Sequence, residues 1–140
     1  MLYITFYTVG DIARGPFEEI RDKFVKQLSP YVKLEHRVIK DVDSMIEKLK
    51  PEQPLIVLDA LGYQVSTEKL AGYVKEIENR GQHIMVLLGG PKGVPKHIKS
   101  KARISLSLSK MTTTHDIAHI FFLEQLYRVC TINAGKEYHY

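Results

Sequence analysis

Hydrophobic and polar positions change period several times along the chain, and the changes divide it into alternating strands and helices. Leu2–Val9 is a nearly continuous β-branched and aromatic run, the pattern of a strand buried on both faces, and Gly10 ends it. Behind Pro16, the residues Phe17, Ile20, Phe24 and Leu28 recur at helical spacing. Glu18 and Glu19 sit on the favourable side of that helix dipole, and Ser29-Pro30 closes it. From Val32 to Ile39 the pattern alternates, with Val32, Leu34 and Val38 on one side and Lys33, Glu35 and Arg37 on the other, as in a half-exposed strand. A short helix capped by Asp41 or Asp43 would carry Val42, Met45, Ile46 and Leu49 on its apolar face. Pro51 and Pro54 fence off the next strand, Leu55–Ala60, which is apolar until Asp59.

Ser66 fits an N-cap with Glu68 in the first turn; Leu70, Tyr73, Val74 and Ile77 follow at helical spacing, and Gly81 lies past the end. His83–Leu88 reads as another buried strand, stopped by Gly89-Gly90-Pro91. A short basic helix from Pro95 to about Ala102 and a last strand, Ile104–Leu108, come next. His115 to about Ile132 is the longest helix. It is apolar on more than one side, so it needs more than one packing surface, and a partner subunit is a natural second one. The alternation predicts an α/β fold: a largely parallel sheet with helices on both faces. The 140 residues fit a single domain spanning 1–140, without repeats or linkers.

Composition adds limits. The 44% hydrophobic and 26% charged content is that of a globular protein, and the net charge of +4 favours an acidic partner such as nucleic acid only mildly. Cys130 is the single cysteine, so neither an intramolecular disulfide nor a Cys-rich metal cluster is expected; its apolar helical setting suits a buried structural thiol. The amino terminus lacks the basic region of a signal peptide and no apolar stretch is long enough to span a bilayer, so the chain reads as cytoplasmic.

In open α/β sheets ligands bind outside the carboxyl ends of the strands. Three such ends stand out: Leu58–Gly62, Leu88–Gly93 and Leu108–Thr113. The Gly-Gly-Pro-Lys-Gly run is neither GxGxxG nor a P-loop, and on its own fits a plain tight turn as well as a nucleotide-binding loop. Asp59 similarly suits either a site or the capping of nearby amides. Lys92, Lys96, Lys99, Lys101 and Arg103 form a basic stretch that suits either phosphate contact or a solvated helix face.

Several short motifs follow one another in order: Val9-Gly10, LDALG at Leu58–Gly62, STE at Ser66–Glu68, LLGGPKG at Leu87–Gly93, LSLSKMT at Leu106–Thr112, His115, EQLYR at Glu124–Arg128, and Tyr138-His139. This set resembles the ribosomal RNA large subunit methyltransferase H family, a branch of the SPOUT methyltransferases. The resemblance implies a deep trefoil knot near the carboxyl end, a homodimer, and S-adenosyl-L-methionine (AdoMet) held in the knot, with no metal. It implies methylation of N3 of a pseudouridine in a stem-loop of 23S rRNA within the ribosome. Carried across by position, Leu58, Gly90, Leu108, Ser109, Lys110, Met111, Thr112 and Thr113 would bind the cofactor, Leu108 and Met111 giving apolar contact to adenine. His115, Tyr138 and His139 are the candidates for the catalytic base; His115 could equally cap the last helix. Arg128 would serve the fold or the dimer. Two positions depart from the family: His119 and Tyr140 stand where it commonly carries basic residues suited to RNA phosphates. On that ground His119→Arg is expected to strengthen RNA binding and leave AdoMet affinity unchanged. The alternative is an AdoMet- or RNA-binding module with an altered RNA target or lost catalysis.

Overall fold

The computed structural model describes residues 1–140, apart from the side chain of Ile46. The expected place of Ile46 on the apolar face of its segment therefore lies outside the described residues. The chain forms β1 (Leu2–Val9), α1 (Pro16–Leu28), β2 (Val32–Ile39), a 3₁₀ segment (Val42–Lys48), β3 (Leu55–Gln64), α2 (Thr67–Asn79), β4 (Ile84–Leu88), α3 (Lys96–Lys99), β5 (Ile104–Ser107) and α4 (His115–Asn133). All five strands join one parallel sheet in the order β2-β1-β4-β3-β5. The expected α/β class and parallel sheet are both present.

The two faces of the sheet are covered unequally. On one, Leu2, Ile4, Phe6, Ile56, Leu58, Ile84 and Val86 pack with Leu28 of α1, Ala71, Val74 and Ile77 of α2, and Phe122, Leu123, Leu126 and Val129 of α4. On the other, Tyr7, Leu55, Val57, Met85 and Leu87 meet only short pieces: Val42 and Met45 of the 3₁₀ segment, Val94, and Ile98 of α3. Both faces of β1, β4 and the first half of β3, Leu55–Leu58, are therefore largely buried, which is why their sequences lack alternation. Cys130 is buried at the back of α4, and burial pushes its thiol up to about 12, as suits an inert structural cysteine.

Capping follows the sequence closely at α2, where the Ser66 hydroxyl accepts from the Lys69 N–H at 3.1 Å and Gly81 takes φ +67°. At residues 42–48 Asp41 is the cap, as expected, but the helix type differs. There Asp41 accepts from the Ser44 N–H (3.0 Å) while the Ser44 hydroxyl donates back to the Asp41 carbonyl (2.8 Å), and the segment winds as a 3₁₀ helix. Helix α3 is only four residues long, continued to Ala102 by turn-type bonds.

Three further departures have packing causes. Val38 is 51% exposed while its neighbour Ile39 is buried against Met45, because the long helices do not cover the end of the edge strand β2. On α1, Leu28 is buried but Phe17 and Ile20 remain about 40% exposed, so the apolar stripe read from the sequence is only half used within one chain. Finally, β3 runs to Gln64, four residues beyond Ala60. Its pairing with β5 breaks after Leu58 and resumes at Tyr63↔Leu106 and Gln64↔Ser107. The break is held by close approach: a Cβ on Gly62 would lie 2.4 Å from the Ser105 carbonyl oxygen.

Gly62→Ala is therefore expected to destabilise the protein by about 1–3 kcal/mol through backbone overpacking. Gly72→Ala, at an exposed position of α2 where a Cβ meets nothing within 4 Å, should stabilise it by about 0.5–1 kcal/mol. Urea unfolding of the two variants reads both; equal stabilities would refute the Gly62–Ser105 contact.

Candidate active site

The carboxyl ends of β3, β4 and β5 lie side by side, so the loops that follow them wall a common space. It is a cavity of ≈ 460 Å³, bounded by Leu58–Ala60, Leu88–Pro91 with Gly93 and Val94, Leu108 and Ser109, Met111–His115, and Ala118 and Phe121. That size is usual for a small-molecule site.

Each wall has a local reason for its shape. Gly90–Gly93 is a tight turn closed by the Gly93 N–H to the Gly90 carbonyl at 2.9 Å, with Pro91 at its second position and Gly93 at φ +74°. A Cβ on Gly89 would meet Val94 Cγ2 at 2.7 Å and the Gly93 backbone at 3.2 Å, so glycine lets the turn fold back closely on itself. The run is thus the plain tight turn considered from sequence, and the turn also walls the cavity. In the 108–113 loop the Ser109 hydroxyl accepts from the Met111 N–H at 3.0 Å. Thr114, not His115, caps α4, accepting from the Ile117 N–H. His115 is the first helical residue and lines the cavity with its Nε2 buried and without a protein partner; Asp116 Oδ1 stays 3.6 Å from Nδ1.

Of the residues assigned to a cofactor from sequence, Leu58, Gly90, Leu108, Ser109, Met111, Thr112 and Thr113 all line this cavity, although they come from three separate loops. Lys110 is exposed and does not line it. Ala118 and Phe121 were not singled out; their signal was the three-residue spacing from His115 along one face of α4. The lining carries no lysine or arginine. Its one carboxylate, Asp59, accepts from the Leu61 N–H at 3.2 Å and is paired with Lys99 Nζ at 2.6 Å. Asp59 thus does the amide capping considered from sequence, and Lys99 is committed to it rather than to phosphate.

The other two candidate bases sit elsewhere. The Tyr138 hydroxyl donates to Glu124 Oε1 at 3.2 Å, and burial together with Glu124 pushes its pKa up. Arg128 stacks its guanidinium 4.7 Å from the Tyr138 ring centre and donates to Glu124 (2.7 Å) and to His139 Nδ1 (3.1 Å). That contact makes Nδ1 an acceptor, so His139 donates through Nε2 to Glu68 at 2.6 Å. Neither residue lines the cavity, and both His139 nitrogens are occupied. Arg128 ties the terminal segment to α4, the structural role expected of it.

Residues 2–139 match the family model described as a predicted SPOUT methyltransferase. The chain belongs to the SPOUT methyltransferase family. Among its relatives, a protein of Thermotoga maritima named ribosomal RNA large subunit methyltransferase H is 35% identical over 89% of this chain and 86% of its own length. Proteins of that name from Desulfotalea psychrophila (36% identical; 94% and 95% covered) and Maridesulfovibrio salexigens (30%; 100% and 99%) align over nearly their whole lengths. Among the described residues no helix is long and apolar enough to cross a membrane, and no group of three or more His, Cys, Asp or Glu could hold a metal ion.

In this SPOUT chain the position of His119 corrects the charge argument built on it. The ring is 1% exposed, between Phe6 and His36, with ring centres 5.0 Å from each; His115 lies 6.4 Å away. Burial first, then His36, Arg21 and His115, pull its pKa down to about 3, against a small opposing pull from Asp11. His119 is a neutral core residue and offers no surface to RNA. Burial likewise lowers the pKa of His36. The Thr8 hydroxyl donates to the Gly10 carbonyl (2.7 Å), so it accepts from His36 Nε2 (2.8 Å), which fixes that tautomer.

Since folding holds His119 and His36 neutral, the unfolded chain binds their protons more readily. Their stability contribution is complete above about pH 6.5 and is lost as pH falls toward 3. Urea unfolding should lose up to ~3 kcal/mol between pH 6.5 and 4, and His119→Leu should flatten that slope. His119→Arg, which buries an unpaired guanidinium, should cost roughly 3 kcal/mol or more. A His119→Arg protein of wild-type stability and tighter RNA binding would restore the surface role.

Proposed function

We propose that the chain is an AdoMet-dependent methyltransferase acting on N3 of a pseudouridine in a 23S rRNA stem-loop, working as a homodimer with AdoMet in the cavity at the three strand ends. The observation carrying this reading is that positions identified in three separate loops converge on one cavity of suitable size. The lining suits the cofactor: glycines and threonines that expose backbone groups, apolar Leu58, Leu108 and Met111, and no lysine or arginine on the wall itself. The threading of β5 and α4 near the cavity is proposed to form the trefoil knot of the family.

When bound, AdoMet supplies an electrophilic methyl group. Leu108 and Met111 would hold its adenine, and the 109–113 backbone would wrap it. His115 is the candidate to take the imide proton, since it lines the cavity and its Nδ1, 3.6 Å from Asp116 Oδ1, is the ring nitrogen that is not buried. The first turn of α4 opens on the same space, and its positive end would stabilise the imide anion. A second copy is supported by the apolar side chains left exposed on α1 and α4, namely Phe17, Ile20, Val25 and Ile117. With His119 in the core, a main ground for a module of lost catalysis or altered RNA target falls away.

Ribosomes from a strain lacking the corresponding modification should gain one methyl group on a 23S rRNA pseudouridine when given the protein and AdoMet, read by nucleoside mass spectrometry. Wild-type protein that leaves the RNA unmethylated while binding AdoMet would overturn the catalytic part. His115→Ala should slow transfer by about 10²-fold or more; an unchanged rate would assign the proton elsewhere. Light scattering should give twice the 16.1 kDa chain mass, and a stable monomer would remove the dimer.

A further inference from the structure

The basic stretch after the glycine turn divides in the folded chain. Lys99 is held by Asp59, and His97 Nε2 lies 2.7 Å from Asp43. Lys101 and Arg103 instead face Lys50 across a separate cleft of ≈ 420 Å³ at the opposite, amino end of β3, floored by Pro54 and Leu55. Among the described residues no carboxylate comes within 4 Å of Lys50, Lys101 or Arg103. Gln82 accepts from Arg103 Nη1 at 3.4 Å, which orients the guanidinium without neutralising it. Glu52, on the neighbouring loop, does not line the cleft; its carbonyl accepts from Gln82 Nε2 at 3.2 Å.

Cavity and cleft are joined by one segment. Gly93 and Val94 line the cavity, and Lys101–Arg103 line the cleft. Exposed Lys92 and Lys96 flank the cavity end of this segment. Leu58 borders the cavity and Leu55 the cleft, three positions apart on β3 and on opposite faces of the sheet.

We propose that the Lys50–Lys101–Arg103 cleft is a phosphate anchor for the substrate RNA, gripping its backbone away from the base in the cavity. Three uncompensated cations around a cleft large enough for a nucleotide suit a phosphodiester, and the lysines between the two sites make the path between them attractive to the same strand. The anchor rests on the RNA-substrate reading of the preceding section.

The test compares two triple variants of the intact protein that remove equal charge: Lys50→Gln/Lys101→Gln/Arg103→Gln in the cleft, and Lys33→Gln/Lys69→Gln/Lys75→Gln on exposed parts of β2 and α2. Fluorescence anisotropy with a labelled 12-nucleotide oligo(U) gives affinity against salt. The cleft triple should weaken binding at least 10-fold. It should also lower the slope of log affinity against log salt by about 2, from three lost phosphate contacts at ~0.7 each. The control triple should keep the wild-type slope, and AdoMet affinity should be unchanged in both. The double variant Lys50→Gln/Lys101→Gln, which spares the Arg103–Gln82 bond, should show a smaller loss in the same direction. Equal effects of the two triples, no effect of either, or poly-glutamate displacing the RNA at equal charge concentration would overturn the anchor. Oligo(U) binding that depends on the cleft, in a protein that methylates no ribosomal RNA, would instead remove the substrate reading and leave the cleft standing.

Discussion

The structure depends on where β3 lies. With β4 on one side and β5 on the other, its carboxyl end is the middle of three adjacent strand ends, and parallel pairing sends all three following loops to the same edge. The contact that fixes this arrangement is the approach of Gly62 to the Ser105 carbonyl, after which β3 and β5 pair again at Tyr63 and Leu106. A larger residue at 62 would hold the strands apart and separate the 58–60 wall of the cavity from the 108–115 wall.

The electrostatics follow from that geometry. The cavity wall itself carries no lysine or arginine, and its one carboxylate, Asp59, is neutralised from behind the wall by Lys99. Fixed positive charge is placed outside, on Lys92, Lys96, Lys50, Lys101 and Arg103, where a polyanion can reach it. In the proposed function, that separation would give a methyl donor and an RNA strand different surfaces of one small protein.

Much of the architecture was legible in the pattern of residues, because strands buried on both faces and helices with capped ends leave strong local signals. Leu2–Val9 and Pro16–Leu28 have the expected bounds for that reason. What was not legible depended on neighbours distant in sequence. The extension of β3 to Gln64 comes from pairing across a break that a glycine disguises as a turn. Thr114, rather than His115, caps α4, a difference of one residue that moves His115 from cap to cavity wall. His119 looked like a lost surface charge because position along a helix does not say which face Phe6 and His36 will cover. Tyr138 and His139 were drawn to the site by motif, but Glu124, Arg128 and Glu68 hold them outside the cavity within one chain.

The central claim, that the cavity between the three strand ends is the AdoMet site, is tested most directly by calorimetric titration of AdoMet into the wild type and into Ala118→Trp, which fills the cavity from α4. The account predicts saturable binding to the wild type and at least a 100-fold loss in a variant that still unfolds cooperatively, about 2.7 kcal/mol at 1.36 kcal/mol per tenfold. Equal AdoMet affinity in the two proteins, or none in the wild type, would contradict it.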